Sequence, residues 1–308
     1  HIAGTLPIYW PSARFGRLHH LAGLDQNNGD KPALPSRAHV GGSQMFDWSM
    51  VALVGAAALG TSFLSGVFGM IGGLVLMGVL LLFLPVPAAM TLHAITQMTA
   101  NGWRAVVWRQ HILWRVLPGY LLGSAAVFAV LAVVQFSPPK PWVYLCLGIM
   151  PFAARALPRQ HAPEIRRRGA PVAVGAMVMT LHVLAGVSGA VLDMFFLAKD
   201  LDRRLVVSTK AMTQSIGHAI KFAYFTLIAA LPAPAATPGA PDAAPTIVQA
   251  GVPVWLFAMC AALAVCGTTL AKPVLHRFSN DSFQTWSRRL VLGIGAVYLA
   301  QGVAGLLP

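Results

Sequence analysis

His93, Thr96, Gln97, Asn101 and Arg104 lie within one long apolar run, and Lys210, Thr213, Gln214, His218 and Lys221 lie within another. At about 100° per residue each set falls along one face of a helix. The order is shared: Thr96 matches Thr213, Gln97 matches Gln214, Asn101 matches His218 and Arg104 matches Lys221. A polar group left unpaired in hydrocarbon costs roughly 1–3 kcal/mol or more, so each stripe must face the protein interior or a hydrated cavity. Arg104, Lys210 and Lys221 are the only formal charges in the two stripes. Hydroxyl and amide donors, imidazoles and cations together suit a small oxyanion. An imidazole titrating in the working range would also let His93 or His218 couple that anion to protons.

Plainer roles compete with this one. Arg104 and Lys221 equally fit helix-end anchors that reach for the membrane surface, and the histidines fit hydrogen-bonded packing groups. Ser65 and Ser188 with His93, His182 and His218 supply a nucleophile and a base on paper. Yet no HExxH, GxSxG or paired-carboxylate pattern accompanies them, so no enzyme is expected. No cofactor and no metal site is expected either. Cys146, Cys260 and Cys266 show no CxxC spacing and read as small apolar side chains.

The elements that position these residues follow from the medium. Hydrophobic residues make up 56% of the chain and charged residues 10%, with a mean hydropathy of +0.67. A soluble domain carries about a quarter charged residues. No charge occurs between Trp48 and Leu84, a stretch longer than the roughly 20 residues that cross a bilayer once. Apolar segments fall at 46–65, 69–84, 89–110, 115–136, 140–157, 171–186, 189–199, 203–231, 249–271 and 287–307. The expected fold is all-α, a polytopic helical membrane protein with about 8–10 membrane segments.

The net charge of +13 sits in connectors between these segments, which points to membrane orientation and excludes nucleic acid as a partner. Arg104, Arg109 and Arg115, the central Arg155, Arg159 and Arg166–Arg168, then Arg203 and Arg204, and finally Lys272, Arg277, Arg288 and Arg289 mark cytoplasmic connectors. The stretches 84–90 and 231–251 carry no Lys or Arg and read as external. This places the central loop inside and the C-terminus outside. Residues 1–44 are polar and read as a disordered or non-native extension, with Met45 as the native start. Residues 45–160 form a first membrane repeat, 161–170 a basic loop and 171–308 a second repeat.

The halves share a second motif. Gly66-Val-Phe-Gly69 in "SGVFGMIGG" matches Gly186-Val-Ser-Gly189 in "AGVSGAVLD", and each precedes its Thr-Gln stretch. The charge-derived topology runs the two Thr-Gln helices in opposite directions, so the repeats are inverted. Inverted repeats with glycine-interrupted segments at matching positions point to a site near the membrane midplane. Gly72 and Gly73 extend the first interruption. A broken helix there frees N–H groups for an anion, whereas the same glycines also serve close helix packing.

Taken together, "SGVFGMIGGLVLMGVLL" (65–81), "LHAITQMTANGWRAVVWR" (92–109), "AGVSGAVLDMFFL" (185–197) and "DRRLVVSTKAMTQSIGHAIKFAYF" (202–225) resemble the TauE/SafE (sulfite exporter-like) family of membrane transporters. The resemblance spans residues 46–307. It implies export of sulfite or organosulfonate-type anions across the bacterial inner membrane and two glycine-rich, helix-broken or re-entrant elements at the centre. The chain departs from the family at Met70-Ile71-Gly72-Gly73, at Met77-Gly78 and at Ala190–Asp193, all near the expected site. Substrate contacts are expected from Gly66, Gly69, Gly72, Gly73, Thr96, Gln97, Asn101, Gly186, Gly189, Thr213, Gln214 and His218. His93, Arg104, Lys210 and Lys221 would supply charge or proton coupling, with a proton or sodium as coupling ion. A channel, or an assembly protein whose stripes only hold helices together, remains the alternative. N-terminal sequencing of the protein from its native host is expected to read from Met45; a mature chain that starts upstream contradicts that start.

Overall fold

A computed structural model describes residues 47–68, 71–156, 164–196, 201–229, 252–275 and 280–307. The extension 1–44, Gly69 and the loop 231–251 lie outside the described residues, as do Arg159, Arg277 and residues 161–163 of the basic loop. The described chain is all-helical: α1 (Trp48–Phe68), α2 (Ile71–Phe83), α3 (Val86–Val107), α4 (Leu117–Val134), α5 (Lys140–Ala156), α6 (Ala170–Leu184), α7 (Gly189–Met194), α8 (Arg203–Ala223), α9 (Val254–Leu275) and α10 (Asn280–Ala304). Among the described residues there is no strand.

Local chemistry sets several helix ends. Proline stands in the first turn of α3, α4 and α6, where its missing N–H is one the helix would leave unpaired anyway. Asp202 caps α8 by accepting from the Arg204 and Leu205 N–H groups at 2.7 and 3.3 Å. Those bonds hold its carboxyl below the usual carboxylate range. The segment expected at 89–110 stops at Val107 and turns through a short 3-10 stretch, Arg109–His111. The segment expected at 203–231 stays α-helical to Ala223 and then widens into a π-helical turn, Tyr224–Ile228. The stretch 189–199 yields only the six residues of α7.

Both glycine frames accompany a change of helix. Gly72 of α2 packs back against Thr61 and Ser65 of α1, so the chain reverses between those helices; α6 ends at Leu184 and α7 starts at Gly189. At the second break Gly186 has φ +77°, a left-handed conformation that glycine adopts without steric cost.

The closest helix pairs are α1 with α9, α4 with α6, α3 with α8 and α5 with α10. Exchanging each helix of the first five for its counterpart in the second five maps α1–α9 onto α6–α4, and leaves the other two pairs unchanged. Glycine permits these close crossings. A Cβ at Gly123 would fall on the Val172 carbonyl oxygen, one at Gly175 on the Tyr120 carbonyl oxygen, and one at Gly66 on the Ala271 side chain. Gly66 therefore serves packing of α1 against α9.

Two apolar clusters lie on either side of the polar stripes. One gathers residues of α1, α2, the start of α3, α5, α9 and the π-helical turn. The other gathers Ala105, Ile112, Val116, Leu117, Ile165, Val174, Phe195 and Ala211. The second cluster brings three of the basic connectors together: the Leu113 N–H donates to Thr209 Oγ1 and the Ile165 N–H to the Phe195 carbonyl. α1, α9 and the helix containing α4 are long and apolar enough to cross a membrane. Their outward faces stay bare, with Val133 83% and Val254 81% exposed.

The crossings give a test. Gly123→Ala and Gly175→Ala each push a methyl into backbone that cannot yield, a cost of about 1–3 kcal/mol. Both should lower the melting temperature of the detergent-solubilised protein. Gly60→Ala, where a Cβ meets nothing within 4 Å, should leave it unchanged or slightly higher.

Candidate functional site

α3 and α8 pack antiparallel, as shown by contacts that step in opposite directions along them. His93 meets Lys221, the Met98 carbonyl accepts from Ser215 Oγ at 3.0 Å, and Leu113 meets Thr209. Ser215 and Met98 are 117 residues apart, the same offset that relates Thr213 to Thr96. They therefore occupy matching positions in the two Thr-Gln stretches. The two polar faces meet around that contact.

Lys221 is fully buried and its chain runs inward. Its Nζ donates to the Gly186 carbonyl at 3.0 Å and to His93 Nδ1 at 2.9 Å. His93 Nε2 lies 2.9 Å from the Gly73 carbonyl. A carbonyl only accepts, so Nε2 carries hydrogen and, in the neutral ring, Nδ1 receives the lysine proton. Lys221 and His93 thus tie α8 and α3 to both breaks.

Equivalent positions make comparable contacts. Arg104, the counterpart of Lys221, donates from Nη2 to the Ser65 carbonyl at 3.1 Å, one of the last four carbonyls of α1, where a cation meets the negative helix end. Lys210, the counterpart of His93, forms an ion pair with Asp193, whose position in the second glycine frame matches Gly73 in the first. In each half, then, two side chains of the Thr-Gln helix secure that half's own break.

A histidine stack completes the centre. His182 lies on His218 with ring centroids 4.2 Å apart and 20° between planes, and His93 is 5.3 Å from His218. Ser188 Oγ is 3.0 Å from His182 Nε2. A Cβ at Gly217 would come within 2.7 Å of both His182 and the Tyr120 hydroxyl, so the stack fits because that position is glycine. The Ser188–His182 contact stands alone as a hydroxyl–imidazole bond: His182 Nδ1 has no hydrogen-bond partner, and no carboxylate orients the ring.

A cavity of about 20 Å³ lies between the breaks, lined by Gly73, His93, Gln97, Asn101, Val187, Ser188, Gly189, Gln214 and His218. That volume holds about one water. Two equivalent pairs, Gln97 with Gln214 and Asn101 with His218, contribute to it. Gln97 Nε2 and His218 Nδ1 are buried without a hydrogen-bond partner, an unusual state for buried polar atoms.

Of the residues anticipated from sequence, Gly73, Gly189, His93, Gln97, Asn101, Gln214 and His218 thus meet at one cavity. Thr96 and Thr213 do not line it. Their hydroxyls donate to carbonyls of their own helices, Leu92 at 2.8 Å and Thr209 at 3.0 Å, the local bond open to a helical threonine. Gly72 packs against the α1 backbone at Thr61. Gly186, Arg104, Lys210 and Lys221 stand behind the lining and hold it. Lys221 makes no excursion toward a helix end. Sequence reasoning gave His182 too small a part and passed over Ser188 except as an imagined nucleophile. The signal available was their six-residue spacing across the second glycine frame. Among the described residues no cluster of histidine, cysteine and acidic side chains could hold a metal.

Comparison with protein-family models, curated proteins and solved structures finds no match.

Lys221→Ala would strand the Gly186 carbonyl, His93 Nδ1 and a cavity, a loss of about 3 kcal/mol. Lys210→Ala breaks a partly exposed pair and should cost less than about 1 kcal/mol. Thermal melts of both variants in detergent check the difference; equal shifts would refute the ranking.

Proposed function

We propose that this protein is a polytopic inner-membrane transporter that moves a small anion by alternating access between two inverted repeats. One observation carries the reading: a polar cavity sits where α3 and α8 meet, is lined by equivalent residues of both halves, and holds buried donors without partners. Inverted-repeat transporters place their sites at such a repeat interface, beside interrupted helices. Irregular backbone at membrane depth is tolerated where it lines a cavity.

Other features support it. The four closest helix pairs map onto themselves when the halves are exchanged. Three helices have the length and apolarity to cross a bilayer, and large apolar side chains cover their outward faces, as lipid requires. Three of the basic connectors gather together, at the cytoplasmic end under the positive-inside rule.

The substrate class follows from the lining. Imidazole and amide groups face the cavity, Lys221 stands directly behind His93, and no carboxylate lines it, which favours an oxyanion. The resemblance to the TauE/SafE family narrows this to sulfite or an organosulfonate, with export as the direction. Such an anion exceeds a cavity of about 20 Å³, which holds little more than one water. The arrangement described is a closed one, and loading requires the halves to part on one side.

Purified protein in liposomes should take up labelled sulfite or a short-chain sulfonate in a saturable manner. Gln97→Ala and Gln214→Ala should each lower that flux about tenfold or more, the loss of a hydrogen bond to a charged group, with little change in melting temperature. Wild-type flux in both variants would rule out the two-fold site.

A further inference from the structure

We propose that the Lys221–His93 pair is the proton-binding element of transport, taking up a proton as the anion enters, so that the two cross together. This rests on the transport function above and names its coupling ion.

The hydrogen bonds set the tautomer of the ring. Gly73 and Gly186 offer only carbonyl acceptors, at 2.9 Å from His93 Nε2 and 3.0 Å from Lys221 Nζ. With Nε2 protonated and Lys221 carrying its ammonium, one hydrogen lies between Nζ and Nδ1, 2.9 Å apart, and the pair holds one positive charge. A second proton sets two N–H groups head to head and forces them apart. Since Lys221 belongs to α8 and His93 to α3, that separation loosens the contact between the halves beside the cavity.

The surroundings decide when a second proton is tolerated. From α6 the pair faces His182, and from α8 itself His218; α4 brings the Tyr120 hydroxyl to the far side of His182. From α2 it meets only the Gly73 carbonyl, and α9 contributes the Cys260 thiol beside Thr96. Asp193 of α7 is already paired with Lys210. Among the described residues no carboxylate faces the pair, so the protein supplies no countercharge. An anion in the cavity does, because His93 and His218 both line it. Anion and proton therefore strengthen each other's binding, and by linkage the effect is reciprocal.

Thiosulfate, which binds no proton near neutral pH, separates protein-borne protons from those of the anion. Wild-type proteoliposomes containing a pH-sensitive dye, at clamped voltage, should acidify as thiosulfate enters, with one proton per anion. Thiosulfate affinity should rise about tenfold per pH unit of acidification, the slope of one linked proton. H93Q keeps a donor for the Gly73 carbonyl but removes the titrating ring; its affinity should become independent of pH and entry should no longer acidify the lumen. K221R keeps a charge that does not dissociate and leaves the ring to titrate, so both effects should persist in it. Should H93Q fail to fold, K221R and the wild-type ratio decide. Entry without protons in wild type overturns this proposal and leaves transport standing; so does an unchanged proton ratio in H93Q or its loss in K221R. If thiosulfate is excluded, sulfite serves, with its own proton subtracted. If neither enters, transport and proton coupling fall together.

Discussion

A buried lysine amine with no carboxylate partner among the described residues is the constraint around which this molecule is organised. Lys221 is fully enclosed, and an enclosed amine keeps its place only where other polar groups replace its water. The replacement comes from the Gly186 carbonyl and His93 Nδ1. A carbonyl is available at Gly186 because α6 has ended, and α6 ends there in a left-handed turn at φ +77°. The helix break, the glycine that forms it and the imidazole facing it are parts of one solvation shell built from protein.

The same logic explains why the two halves resemble each other without being copies. Each Thr-Gln helix sends one cation to the carbonyls of its own broken helix: Arg104 to Ser65, Lys221 to Gly186. One turn earlier than the Thr-Gln pair, His93 takes a carbonyl at Gly73, whereas Lys210 takes the carboxylate of Asp193. The partner changes with the side chain. A neutral ring is satisfied by a carbonyl, while Lys210 meets the carboxylate of Asp193 at a partly exposed position. Asp193 thus stands in the second frame where the first has Gly73.

Much of this was legible in the sequence because apolar runs and glycine frames act locally. The ten segments appear as ten helices, and two changes of helix fall at the two Gly-Val-x-Gly frames. The inward direction of Lys221 was not legible: a lysine at the end of an apolar run fits a surface anchor equally well, and only the antiparallel register of α3 and α8 decides. The threonines misled for a related reason. A helical wheel places Thr96 on the polar face but takes no account of the carbonyl one turn back, which its hydroxyl prefers. His182 was undervalued because its stack with His218 joins α6 to α8, a long-range pairing that no periodicity within either helix reports.

One contact has a geometric consequence. Ser215 and Met98 hold matching places in the two Thr-Gln stretches, and they touch. In two antiparallel helices, matching places come level at one point alone; every other matching pair is spread by twice its distance from that point. The hydrogen bond at Met98 therefore marks the register of α3 on α8, and a slip of one residue there would carry Lys221 away from His93.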